Sequence, residues 1–204
     1  MIIETFQFGP IATTSVLFAC PKTLRAAVVD VPFESASFLD KRLEELNLQL
    51  EFILLTHSHW DHIGEASVLK KRRKEAKLLV HEEDAGNLIQ PGSDGLPCPI
   101  PMEGVVPDGY LTDGQELALG TLRIKVIHTP GHTPGGVCFF LEKEGILISG
   151  DTLFQGAIGN LRFKTGRPHL MPGSLKKILS LPHETRVIPG HGDETKIGNE
   201  LHKE

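Results

Sequence analysis

Thr56-His57-Ser58-His59-Trp60-Asp61-His62 follows directly on the apolar run Phe52-Ile53-Leu54-Leu55. Three imidazoles and a carboxylate are crowded into one short turn at the end of a strand that reads as buried. Such groups are poor packing material. Desolvating them without partners costs free energy, and so does holding them in water at the end of a buried strand. A divalent metal resolves the conflict, because neutral imidazole and carboxylate are both good zinc donors. The bland alternative is a solvated His-rich loop, and only the rest of the chain separates the two readings.

Working outward, three more apolar strands end in residues of the same kind. Leu122-Arg123-Ile124-Lys125-Val126-Ile127 runs into His128-Thr129-Pro130-Gly131-His132, Gly145-Ile146-Leu147-Ile148-Ser149-Gly150 into Asp151, and Arg186-Val187-Ile188-Pro189-Gly190 into His191. Sites in α/β architectures gather at the carboxyl ends of strands. Four such junctions offer five imidazoles and two carboxylates: His57, His59, Asp61, His62, His132, Asp151 and His191. Glycines flank them, at 131, 135, 136, 150, 190 and 192. A backbone folded tightly around an ion needs such residues.

Length and composition narrow the class. The chain has 204 residues, 40% hydrophobic and 23% charged, with a formal net charge of −5. This describes a soluble globular protein long enough for one sizeable core. The acidic balance weighs against nucleic acid or a membrane surface as partner. Three cysteines, Cys20, Cys98 and Cys138, with no C-x-x-C spacing, point to a reducing compartment. No apolar stretch is long enough to span a bilayer. The start Met1-Ile2-Ile3-Glu4-Thr5-Phe6 lacks a signal-peptide pattern. Cytoplasm is the expected location.

Periodicity predicts strands over 2–8, 15–20 and 26–30, a helix over 34–46, a helix over 64–74 ending in Lys70-Lys71-Arg72-Arg73-Lys74, and a strand over 77–81. Residues 87–107, rich in Pro and Gly, form a long irregular segment, expected to lid the site. Two antiparallel strands flank Leu119-Gly120. A strand over 136–141, a helix over 173–181 and the strand before His191 complete the chain. Strands in runs with interspersed helices suggest two sheets packed together under outer helices, in a single domain over 1–204.

His57-Ser58-His59-Trp60-Asp61-His62, Pro130-Gly131-His132-Thr133-Pro134-Gly135, Gly150-Asp151-Thr152-Leu153-Phe154 and Pro189-Gly190-His191-Gly192 together resemble the metallo-β-lactamase-fold hydrolases. Within them the chain looks most like short, single-domain glyoxalase II. The resemblance covers nearly the whole chain. It implies an αβ/βα four-layer sandwich, two mixed sheets flanked by helices, with the site at one edge. It implies two divalent metals, zinc expected and iron or manganese as alternatives. His57, His59 and His132 would hold the first, Asp61, His62 and His191 the second, with Asp151 and a hydroxide bridging. That hydroxide would attack a thioester such as S-2-hydroxyacylglutathione, with Asp61 orienting it as well as ligating. Two departures bear on the substrate. The extra helical C-terminal domain of longer glyoxalase II proteins, which helps hold glutathione, is not expected here. Asn160 stands where the family often has Lys or Arg, with Arg162, Lys164 or Arg167 as substitutes.

Competing functions are a mononuclear iron persulfide dioxygenase, using His57, His132 and Asp151, and lactone hydrolysis on the same metals. The acidic balance disfavours nucleic-acid cleavage. An Asp at position 151 disfavours β-lactam hydrolysis, and a full ligand set disfavours a non-catalytic module. The partner is a small molecule, with oligomeric state open. His81, His128, His169, His183 and His202 read as structural or surface residues, Trp60 as packing behind the ligands, Cys138 as core, and the lysine-arginine run as a solvated helix end.

Overall fold

The computed structural model describes residues 1–201; His202 lies outside them. One sheet holds β1 (Ile2–Phe8), β2 (Thr13–Ala19), β3 (Arg25–Val29), β4 (Gln49–Leu54), β5 (Lys77–His81) and β6 (Gly109–Leu111), in that order. The first three pair antiparallel, and β3 to β6 run parallel. The other sheet holds β7 (Glu116–Leu119), β8 (Leu122–His128), β9 (Val137–Leu141), β10 (Ile146–Gly150), β11 (Arg186–Pro189) and β12 (Thr195–Lys196), likewise in sequence order. Only its β10–β11 pair is parallel. Both sheets are therefore mixed, as expected.

Strand periodicity assigns the layers. In β2, Val16 and Phe18 face the other sheet while Leu17 and Ala19 face the helices; Ala27 and Val29 alternate with Ala26 and Val28 in the same way. Strands covered on both faces read as continuous apolar runs, which these do. The inner layer joins them to Ile124, Val126, Phe139, Ile148 and Ile188. Outside the first sheet lie α1 (Ala36–Glu45), α3 (Ala66–Arg72) and α4 (Glu82–Ile89), through Leu39, Leu43, Leu69 and Leu88. Outside the second lie α5 (Met171–Leu179) and α6 (Ile197–Glu200), through Ile178 and Ile197. The result is the four-layer αβ/βα sandwich.

Several expectations need correction. The helix predicted over 64–74 is found as the shorter α3, and a separate one-turn helix, α2 (Trp60–Ile63), precedes it outside the predicted span. Between them lie Gly64, where a Cβ would meet Phe33, and Glu65, whose carboxylate accepts from the Ala36 amide at the start of α1. The irregular segment does not lid the site along its whole length. Ser93 and Asp94 reach the cavity beside His59, but Met102 and Val105 pack on the outer helices, and the Val105 amide donates to Leu88 O. The short strands β6 and β12, and α6, have no periodic signal to predict them.

Four of the five cations in the basic run meet carboxylates. Lys70 meets Asp108, Lys71 meets Glu103, Arg72 meets Asp40, and Arg73 meets Asp40 and Glu44. Among the described residues no helix is long and apolar enough to cross a membrane.

Candidate metal centre

The carboxyl ends of β4, β8, β10 and β11 meet at one edge of the sandwich, where the two sheets come together. All seven residues singled out from the sequence converge there. His57, His59 and His132 form one group of converging ligand atoms, and Asp61, His62 and His191 another. Asp151 joins His57 and His62 in a third that overlaps both, and within each group the ligand atoms lie within 4.8 Å of one another. The rings of His57, His59 and His132 stand nearly perpendicular to one another, at 79–83°. Three lone pairs so disposed can cap one face of a tetrahedral ion. Asp151 lies between the groups: Oδ1 is 3.3 Å from His62 Nε2, and Oδ2 is 3.3 Å from His132 Nε2. His191 Nε2 is 3.1 Å from Asp61 Oδ2.

The hydrogen-bond pattern shows which atoms are available to ligate. Nε2 of His57, His59, His62 and His132, with Oδ1 of Asp151, is buried and makes no hydrogen bond. Native proteins rarely leave buried polar atoms so. Five of them around one centre fit a cation.

The opposite ring nitrogens are occupied. His62 Nδ1 donates to Asp30 Oδ2 at 2.7 Å. His57 Nδ1 lies 3.1 Å from Thr56 Oγ1, which itself donates to Asp30 Oδ2 at 2.7 Å. The Thr56 amide donates to Asp30 Oδ1. His132 Nδ1 donates to Asn160 O at 2.9 Å. Each bond keeps the proton on Nδ1 and leaves the Nε2 lone pair for a metal, the usual arrangement behind ligating histidines. Asp61 Oδ2 accepts from Thr13 Oγ1 at 2.9 Å. Sequence reading missed Asp30 and Thr13. It also missed Phe163, whose half-buried ring lies 5.2 Å from that of His59 and 5.6 Å from that of His132. Gly190 is required by close approach, since a Cβ there would strike Asp151 Oδ1 and His62 Cε1.

Electrostatics divide the cluster. Burial holds His57 well below the ordinary histidine range and His59 at about 3, with neighbouring imidazoles adding to the effect. His132 is also lowered by burial. Burial opposes protonation at His62 too, but the charges of Asp61, Asp30 and Asp151 outweigh it and hold His62 well above its usual range. His191 is raised as well, burial being outweighed by its bond to Asp61 and the charge of Asp151. The shifts favour neutral, donating imidazoles in the first group and proton binding at His62 and His191 in the second, where a metal would compete with protons.

The remaining histidines lie elsewhere. His81 and His128 stack at 4.0 Å and 10°. With Glu83 they form a further cluster, but near-parallel rings send their in-plane lone pairs along parallel lines. The His81 side chain caps α4, and His128 Nε2 donates to Pro134 O. His169 and His183 are exposed. Trp60 packs against Phe33. Cys138 is buried, which pushes its thiol up to about 11.

A model of the metallo-beta-lactamase superfamily matches residues 12–191. Hydroxyacylglutathione hydrolase GloC of Haemophilus influenzae is 35% identical over 181 residues, 86% of this chain and 84% of that protein. The solved structure of the BLEG-1 B3 metallo-beta-lactamase superposes with a TM-score of 0.90 at 35% identity, over 99% of this chain and 98% of that one. TTHA1623 in a di-iron-bound form gives 0.82 at 30% identity, over 98% of each chain. Sequence, fold and relatives agree, and the chain belongs to the metallo-beta-lactamase superfamily as a metal-dependent hydrolase.

Proposed function

We propose that this protein is a binuclear metallohydrolase that cleaves a thioester, S-2-hydroxyacylglutathione or a related acyl thiol ester. The five buried donor atoms without hydrogen-bond partners, spread over the overlapping ligand groups, carry the reading. In it, His57, His59 and His132 would hold one divalent ion, Asp61, His62 and His191 a second, and Asp151, placed between the two groups, would serve both. Zinc suits this nitrogen and carboxylate set; the di-iron form of TTHA1623 makes iron the alternative. Two such ions supply Lewis acidity to a carbonyl and acidify a water at neutral pH.

The chain's own residues do the rest. Asp30 sets the tautomers of His62 and, through Thr56, of His57. Asp61, steadied by Thr13, would help hold an ion and orient the attacking water. Phe163 shields the His59 and His132 side of the centre from solvent. A cavity of about 190 Å³ opens beside His59, lined by Ser58, Asn87, Asp94, Thr133 and Thr165 among others; it is the space for part of the substrate. A thiolate departs without a general acid, since thiols ionise near pKa ~8.5. Relatedness to a hydroxyacylglutathione hydrolase supports the thioester class. Asn160 serves the loop, its carbonyl accepting from His132 and its side chain from the Arg162 amide. Arg162, Lys164 and Arg167, all exposed, are then the cations left nearby to meet an anionic thiol carrier. The proposed setting is a cytoplasmic enzyme acting on a small molecule.

The test is a substrate panel: 2-hydroxyacyl thioesters of glutathione and of other thiols, a lactone, a β-lactam and a persulfide. Thioester cleavage that stops on chelation and returns with metal is expected. Lactone opening, β-lactam hydrolysis or oxygen uptake with the persulfide, in place of thioester cleavage, would refute the reading.

A further inference from the structure

We infer that Asp84 and Asn87, on the inner side of α4, are positioning residues for one metal of the pair only, the ion assigned to His57, His59 and His132. This rests on the two-metal reading above.

Neither residue belongs to the ligand set, yet both are buried against it, Asp84 with 4% of its surface exposed and Asn87 with 8%. A buried carboxylate with no cation beside it is costly unless its oxygens are filled. Asp84 fills both with backbone donors from two different ligand loops. Oδ2 accepts from the Ser58 amide at 3.1 Å, and Oδ1 from the Gly135 amide at 2.7 Å. Ser58 sits between His57 and His59, and Gly135 lies three residues after His132. Asn87 completes the grip, its Nδ2 donating to the Ser58 carbonyl. Both backbone groups of the residue between two ligands are therefore held by one helix. That helix also ties down the loop of the third ligand.

The fit at Gly135 is close. A Cβ there would come within 2.7 Å of both the Asp84 amide and Oδ1, so only glycine lets the two loops approach this far. Asn87 is itself fixed, because its Oδ1 accepts from the Gly92 and Asp94 amides. The α4 side chains thus set the separation between His59 and His132, whose ring centroids are 4.5 Å apart.

The second ligand group is held from the opposite side. His62 rests on Asp30, Asp61 on Thr13, and the His191 loop on the Thr14 amide, which donates to Gly190 O. None of these bonds involves α4. His57 has a tie to each side, since Thr56 links it to Asp30. Loosening α4 therefore loosens His59 and the loop that carries His132, whose ring keeps its bond to Asn160 O, while leaving Asp61, His62 and His191 in place. Hydrogen-bond partners behind metal ligands are worth ~10–100-fold in metal affinity.

The test titrates metal-free wild type, Asp84→Asn and Asn87→Ala with Zn²⁺ against a chelating indicator, with Co²⁺ absorption spectra as the second readout. Asp84→Asn keeps the side-chain volume but turns an amide NH₂ toward a backbone N–H. Wild type should take two ions. Asp84→Asn should bind one of them ~10–100-fold more weakly, hold the other at wild-type affinity, and lose the Co²⁺ band of one site alone. Asn87→Ala should show the same selective loss to a smaller degree, and carries the test if Asp84→Asn does not fold. Wild-type affinity at both sites in both variants, or equal weakening at both sites, would overturn the inference. A wild-type protein that takes fewer than two ions would instead sink the two-metal reading.

Discussion

Asp30→Asn isolates the contribution of a residue that touches no metal in the proposed site. Asp30 is buried and accepts three hydrogen bonds, from the Thr56 amide, the Thr56 hydroxyl and His62 Nδ1, at 2.7–2.8 Å. An asparagine keeps one acceptor for the Thr56 amide, but its NH₂ then faces the other two donors. The Thr56 hydroxyl can rotate and accept. His62 cannot: it keeps its Nδ1 proton against a second donor, or moves that proton to Nε2. The first choice orphans a buried donor, at about 1–3 kcal/mol. The second blocks the nitrogen that lies 3.2 Å from Asp61 and 3.3 Å from Asp151. Either way metal affinity at the His62 site should fall ~10–100-fold, about 1.4–2.7 kcal/mol. Chelator competition measures the loss, and nitrogen NMR of the His62 ring reports the tautomer. Wild-type affinity in Asp30→Asn, with Nε2 unprotonated, would refute the argument.

Other consequences follow from the same geometry. Asp151→Ala should release metal and abolish turnover; full occupancy and activity would contradict its bridging role. Because His62 and His191 are raised above the usual histidine range and His57, His59 and His132 lowered, protons compete for the second site and hardly for the first. Affinity at the second site should climb as pH rises through neutrality while the first changes little, a contrast that titrations at several pH values would show or deny. Phe163→Ala should raise KM by roughly fivefold, from about 1 kcal/mol of lost apolar contact, with kcat nearly unchanged. An equal fall in kcat would show that the ring acts on the chemical step instead.

The ligands were legible because each ends an apolar strand, and charged or polar donors at four such junctions have no packing explanation. The layers were legible for a related reason: Leu17 beside Val16 and Phe18 marks a strand buried on both faces. The supporting residues were not. Asp30 follows a strand as any turn residue might, and its positive φ of 58° leaves no trace in the sequence. Asp84 reads as one of three acids favouring the start of α4, with nothing to reveal that its carboxylate turns inward to two distant amides. Phe163 lies in an irregular loop, where periodicity says nothing about direction. The turn that precedes α3 brings Gly64 so close to Phe33 that a Cβ would strike it, an approach between segments thirty residues apart.

The central claim is that two cations sit among these seven side chains. Crystals of the metal-loaded protein, measured with anomalous scattering at the absorption edge of the metal found by elemental analysis, test it directly. The account predicts two peaks per chain, one among His57, His59 and His132 and one among Asp61, His62 and His191, with Asp151 reaching both. A single peak, or metal bound only at the stacked His81 and His128, would contradict it.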